Sequence, residues 1–194
     1  MTSQIRLREF SHIGIVTPSV EEFRQRWSAT LGIEEWVQRD VPQPPGRAQL
    51  LGDRIDEPSS NRIAFTRVAG LPVELIEPLE GRTSAARWLQ AHGPGIQHVG
   101  FWVDDLGGQL NGLGSDVHVT YSPASLVSTL ADHPVSALLP PDSAAVVRPP
   151  FWSYLQLAPV GREGWELELL DAEFEGAYRE YYGDFAYYPG DLPT

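Results

Sequence analysis

Two stretches of this chain repeat each other's chemistry, and any fold it adopts has to accommodate the repeat. Ser11-His12-Ile13-Gly14-Ile15 returns as Gln97-His98-Val99-Gly100-Phe101, and Val73-Glu74-Leu75-Ile76 returns as Leu167-Glu168-Leu169-Leu170. Each half opens with a His inside a β-like run and closes with a Glu inside another. The spans are close: 74 − 12 = 62 residues in the first half and 168 − 98 = 70 in the second. Two related modules, each supplying one imidazole and one carboxylate from strands, can set four metal-ligand groups around a shared axis.

The 194 residues suffice for one sizeable domain or two small fused modules, and six Trp with 42% hydrophobic content predict a packed core. With no Cys, disulfides, thiolate nucleophiles and Cys-based zinc sites are excluded. A net charge of −12 without any Lys/Arg cluster argues against a nucleic-acid partner. Residues 1–10 lack the apolar core of a signal peptide, and no apolar run reaches the roughly 18 residues of a membrane span. The expectation is a cytoplasmic protein with a small-molecule substrate and no membrane partner.

The first half offers a strand, a helix and four further strand candidates for the order β-α-β-β-β. Residues 9–17 form a strand rich in β-branched residues. Thr17-Pro18 reads as a helix N-cap and first helical position, with Val20, Phe23, Trp27 and Leu31 on one face and Gly32 as the stop. Strands follow at 35–41, ended by Pro42, then at 49–55, 62–68 and 72–77. A linker helix over 83–92 ends at Gly93. The second half offers a strand at 96–103, a glycine-weakened helix at 105–113, and strands at 117–121, 151–158 and 165–170. The domain boundaries predicted are therefore 8–80, a linker at 81–94, 95–171 with an insert at 122–150, and an aromatic tail at 172–194. The insert reads as a loop with one short helix, a candidate lid. In the tail, Phe174, Tyr178, Tyr182 and Phe185 fall near helical spacing, which suits packing on the body, on a partner subunit, or over a pocket.

Side chains two apart on a strand share a face. His12 then shares its face with Gly14, and His98 with Gly100, so each Gly leaves open space beside an imidazole. Glu166 shares the face of Glu168. A lone strand His is usually a satisfied core residue, but a buried unpaired carboxylate costs several kcal/mol. Four such residues at matched positions offer two nitrogen and two anionic oxygen ligands, a mixture suited to Ni, Co, Zn, Mn or Fe. Around an octahedral ion they leave two adjacent sites for water or a bidentate substrate. His92 and His118 read as exposed.

At these residues the chain resembles the vicinal oxygen chelate superfamily, which includes glyoxalase I, methylmalonyl-CoA epimerase, extradiol dioxygenases and antibiotic-resistance proteins. The resemblance is carried by Phe10-Ser-His-Ile-Gly-Ile-Val-Thr-Pro18, Val73-Glu-Leu-Ile-Glu-Pro78, Trp88 through Leu106, and Trp165-Glu-Leu-Glu-Leu-Leu-Asp171. It is closest to methylmalonyl-CoA epimerase and its relatives. It implies an α+β fold of two paired βαβββ modules forming a cupped mixed sheet, with His12, Glu74, His98 and Glu168 as metal ligands. That His/Glu/His/Glu set is similar to the one of bacterial-type glyoxalase I, since epimerases commonly carry Gln in place of Glu74. A two-base epimerisation also uses a carboxylate on the third-strand segment, which here reads Arg62-Ile-Ala-Phe-Thr-Arg67.

What the resemblance implies for activity is a metal-dependent isomerase or epimerase that abstracts a proton next to a carbonyl through a metal-stabilised enediolate. Glu168 is then the ligand that doubles as base, with Glu74 as its counterpart and Glu166 as a candidate second acid/base group. An exposed strand-end carboxylate is the plainer reading of Glu166. Two alternatives share the fold. One is a ring-cleaving dioxygenase, which needs iron held by two His and one carboxylate. The other is a metal-free binding or resistance protein, its cup lined by Trp102, Phe151, Trp152 and Tyr154. A homodimer is expected from the resemblance and the aromatic tail.

Overall fold

The computed structural model of the chain describes residues 4–43, 45–46, 48–51, 53–111, 113, 118–122, 152–156 and 164–183. The insert beyond Ser122, the tail beyond Gly183 with Phe185, and the side chains of Phe151 and Trp152 lie outside the described residues.

The first module contains β1 (Leu7–Val16), α1 (Val20–Leu31), β2 (Val37–Gln43), β3 (Ala48–Leu50), β4 (Asp53–Ile55), β5 (Ser59–Val68) and β6 (Leu71–Glu80). After α2 (Ser84–His92) come β7 (Gly95–Val103), α3 (Leu106–Asn111), β8 (His118–Ser122), β9 (Trp152–Gln156), β10 (Glu166–Asp171) and α4 (Glu175–Tyr182). The ten strands among the described residues form one mixed sheet in the order β2-β5-β6-β1-β7-β10-β9-β8-β3-β4. Outward from the centre, β1-β6-β5-β2 and β7-β10-β9-β8 have the same topology. In each, the first and last strands are parallel and the other pairings antiparallel. The antiparallel β1·β7 pair joins the modules. This is the α+β cupped sheet of paired βαβββ modules.

One face carries helices. α1 lays Val20, Phe23 and Trp27 on Ile15, Ala64, Val73 and Leu75, while α3 packs Leu106 and Leu110 on Val103, Leu167 and Leu169. The alternation leaves the residues between them, including His12, Glu74, His98 and Glu168, on the opposite, concave face. Against the inner face near the strand ends lies α2, with Ala85 and Trp88 on Val16 and Ile76.

Three local expectations need correction. The first helix begins at Val20, not Pro18: Ser19 is the N-cap, accepting from the Glu22 backbone N–H at 3.2 Å. Ser19-Val-Glu-Glu22 is a capping-box pattern, a stronger start signal than the preceding Pro. Strand β2 runs through Pro42 to Gln43, because among the described residues it is an edge strand paired with β5 alone, where a missing N–H on the outer side costs nothing. Residues 49–55 are not one strand. The chain reverses between paired Leu50 and Asp53, with Leu51 at φ 54°, and the β3–β4 hairpin joins β8 at the far edge. There Leu50 and Ile55 pack with Tyr121 and Tyr154, so the first module completes the wall of the second.

Candidate metal centre

The centre of the sheet is irregular in a way that serves the two histidines. Between Phe10↔Phe101 and Ile13↔Val99, β1 spends one more residue than β7, so Ser11 and His12 together oppose Gly100. Between Gly14↔His98 and Ile15↔Ile96 the extra residue is on β7, and it is Gln97. A bulge re-aims side chains that strict alternation would send to opposite faces. Here each bulge brings the residue before the His round to that His. Ser11 Oγ lies 2.9 Å from His12 Nδ1, and Gln97 Oε1 lies 3.3 Å from His98 Nδ1. With Nδ1 engaged in each ring, Nε2 is the nitrogen presented to the cup.

The glycines act across the modules. A Cβ on Gly14 would overlap the His98 ring, and one on Gly100 would press on His12 Cε1 at 3.0 Å and Glu168 Oε2 at 3.1 Å. Gly14 thus makes room for the imidazole of the other module. The expected open space beside each His is filled by the other His.

The register places Glu74 beside Gly14 and Glu168 beside Gly100. Both carboxylates turn onto the imidazole pair. His12 Nε2 lies 2.9 Å from Glu168 Oε2 and 3.3 Å from Glu74 Oε2; His98 Nε2 lies 3.4 and 3.2 Å from the same atoms. The two Nε2 atoms are 3.0 Å apart. All four residues are buried, the imidazoles completely. Ions with bonds of about 2.0–2.2 Å hold ligand atoms about 2.9–3.5 Å apart at octahedral or tetrahedral angles. Five of the separations are 2.9–3.4 Å, and His12, Glu74 and His98 offer ligand atoms close enough together to hold one metal ion. Apart from these imidazole contacts, Glu74 Oε2 and Glu168 Oε2 are buried without a hydrogen-bond partner, so the pair calls for positive charge between them.

The electrostatics point the same way. Burial opposes a charge on His12, yet the negative charges of Glu168 and Glu74 outweigh it and push the imidazole up to about 10. Burial also raises Glu74, but the adjoining imidazoles of His12 and His98 overcome it and hold the carboxyl down to about 2. Without a metal, a proton on His12 supplies part of the positive charge this cluster demands.

Aromatic rings close the mouth. Tyr178 of α4 stacks on His12 with centroids 6.4 Å apart, and packs edge-on against Phe65 and Trp102 at 6.0 and 5.5 Å. Tyr182 covers Phe65 at 4.8 Å, and Tyr154 lies against His98 at 4.7 Å. Burial above all, and then the Glu74 and Glu168 charges, push the Tyr154, Tyr178 and Tyr182 phenols well above their usual range. The described part of the tail packs on the body of the chain, with Tyr178 and Tyr182 against Phe65 and Tyr178 against His12.

Glu166 is neither exposed nor aimed at the cluster. It is fully buried, ion-paired with Arg87 of α2, and bonded by Ser84 Oγ and Gln97 Nε2, each at 3.2 Å. The pairing takes it out of the second acid/base role. His92 is exposed and packs on Trp88 at 4.2 Å, and His118 is half-buried at the start of β8; neither reaches the cluster. Sequence reasoning missed Phe65, Ser84, Arg87 and Gln97 at this site. Only Gln97 carried a signal, by occupying the place of Ser11 in the repeat.

Comparison with known proteins agrees with this fold. Residues 11–116 match the family model described as the glyoxalase/bleomycin resistance protein/dioxygenase superfamily. The uncharacterized protein YqjC of Bacillus subtilis (strain 168) is 29% identical over 113 residues, which cover 58% of this chain and 69% of YqjC. Among solved structures, methylmalonyl-CoA epimerase from Mycobacterium tuberculosis superimposes with a TM-score of 0.53 at 19% identity, covering 91% of this chain and 97% of the epimerase. That likeness is one of fold. No helix among the described residues is long and apolar enough to cross a membrane.

Proposed function

The chain belongs to the glyoxalase/bleomycin resistance protein/dioxygenase superfamily, and from that premise we propose a metal-dependent isomerase or epimerase acting on a small hydroxy- or oxo-compound. The modules 8–80 and 95–171, joined by 81–94, each contribute half of the centre. One observation carries the reading: two imidazoles and two carboxylates from matched strands meet, each carboxylate offering an oxygen within 2.9–3.4 Å of both Nε2 atoms.

His12, Glu74, His98 and Glu168 would hold a divalent ion, Ni, Co, Zn, Mn or Fe. Bound there, it supplies Lewis-acid chemistry that stabilises negative charge on a carbonyl oxygen. The chain's own residues do the rest. Glu168 takes the proton from the carbon next to the carbonyl; returned to the neighbouring carbon it gives the isomer, whereas the epimer requires a proton delivered to the opposite face of the same carbon. Glu74, held down to about 2 by the adjoining imidazoles against the effect of burial, is a poor proton acceptor and serves as ligand. Tyr178, Phe65 and Trp102 exclude water over His12, which strengthens every charge interaction beneath them. The Tyr178 phenol stays protonated, so it can donate a hydrogen bond but not abstract a proton.

Glu74 also ranks the alternatives. A ring-cleaving dioxygenase needs open positions beside two His and one carboxylate, and Glu74 takes one of them. A metal-free binding protein has no use for two buried carboxylates set against one imidazole pair. The test is metal analysis of the purified protein, with deuterium wash-in at a carbon next to a carbonyl. About one ion per chain and metal-dependent wash-in support the isomerase. Oxygen uptake with a catechol and Fe(II), or ligand binding that survives chelation, would replace it.

A further inference from the structure

The metal reading uses Nε2 of His98 but does not explain what keeps that nitrogen free of a proton. The answer lies on the far side of the ring. Arg87 of α2 is ion-paired with Glu166 of β10. The carboxylate accepts from Ser84 Oγ at 3.2 Å and from Gln97 Nε2 at 3.2 Å, and Gln97 Nε2 also donates to Ser84 Oγ at 2.8 Å. An ionised carboxylate can only accept, so the NH2 end of Gln97 must face it. The amide oxygen is thereby turned to His98 Nδ1 at 3.3 Å, where it accepts the ring N–H. With the proton on Nδ1, the Nε2 lone pair is left for the cup.

We propose that Arg87, Glu166 and Gln97 are positioning residues that fix the His98 tautomer, so that the helix joining the two modules sets the metal affinity of the second one. Each link has a direction. Arg87 holds the carboxylate, the carboxylate orients the amide, and the amide selects the ring nitrogen. Glu166, Gln97, Ser84 and His98 are all buried, so water does not compete for these contacts. His12 has a different arrangement: Ser11 is a hydroxyl that can turn to donate or accept, so its ring is oriented without being locked. The two histidines are therefore unequal, although the repeat makes them look alike.

The inference rests on the metal reading for its consequence, but the tautomer can be measured without metal. Side-chain 15N correlation spectra of the metal-free protein should show His98 protonated at Nδ1, and E166Q should shift it to a mixture of tautomers, because a Gln at 166 lets Gln97 turn over. Titration with Zn(II) should show E166Q and Q97M each weakening affinity about 10- to 100-fold. The double variant should be no weaker than the worse single one, and R87K should retain affinity within a few-fold. S11A should add its effect to that of E166Q. If E166Q does not fold, Q97M carries the same comparison. Unchanged His98 tautomer in folded E166Q or Q97M overturns the inference whether or not zinc binds. Full zinc affinity in E166Q and Q97M also overturns it while leaving the metal reading intact. Failure of the parent protein to bind any divalent ion, with the tautomer locked as described, sinks only the metal reading.

Discussion

Metal binding to this cluster should release a proton, and the size of the effect follows from His12. Its imidazole is pushed up to about 10 by the charges of Glu168 and Glu74, so at pH 7 the metal-free protein carries a proton on the nitrogen a cation needs. Removing it at pH 7 costs about 3 × 1.36, or roughly 4 kcal/mol, which lowers apparent affinity by about three orders of magnitude from its limit above pH 10. Apparent affinity should therefore rise about tenfold per pH unit, or about 100-fold from pH 6.5 to 8.5. The same shifts set the stability of the metal-free protein. The contribution of His12, whose folded value lies above 6.5, is fully present below that pH and is lost as pH rises through about 10. The contribution of Glu74 is present above 4.5 and is lost as pH falls through about 2. Loading with metal should flatten the alkaline loss, because the ion replaces the proton. Calorimetric titration with Zn(II) in two buffers of different ionisation enthalpy counts protons directly, and about one per ion is expected. Affinity independent of pH over 6.5–8.5, with no proton released, would refute the argument and place the ion elsewhere.

Other substitutions probe the rest of the site. G14A should force a Cβ into the His98 ring, costing about 1–3 kcal/mol and displacing the ligand, whereas G95A, with open space around its Cβ, serves as control. Equal zinc affinity and melting temperature in the two variants would contradict the crossed packing of glycine and histidine. E168Q should lower wash-in at saturating metal by about 10²–10⁴-fold, and wash-in at the parent rate would remove Glu168 as the base. Y178A should speed removal of the ion by a chelator, since it strips the ring stacked on His12; an unchanged rate would show that α4 does not govern access.

The repeat made the topology legible because a His in the first strand and a Glu in the last strand of each half are local facts. Parallel pairing of those two strands then brings the residues together by register alone, Gly14 with Glu74 and Gly100 with Glu168. What stayed illegible depends on pairings between distant segments. No propensity marks Ser11 and Gln97 as bulged, because the bulges exist only in the register of β1 against β7. With strict alternation, Ser11 and Gln97 point away from the cup and the Nδ1 partners vanish. The same alternation leaves an empty space beside each His, since one strand cannot reveal that its glycine lies under the other strand's ring. Glu166 shows the limit most clearly. It shares a strand face with Glu168 two residues away, and both are buried, yet one meets Arg87 and the other two imidazoles. Face and burial are therefore insufficient to assign a carboxylate its role. The partner decides: a carboxylate neutralised by a guanidinium and two donors is a support, and one set against two imidazoles is the candidate ligand.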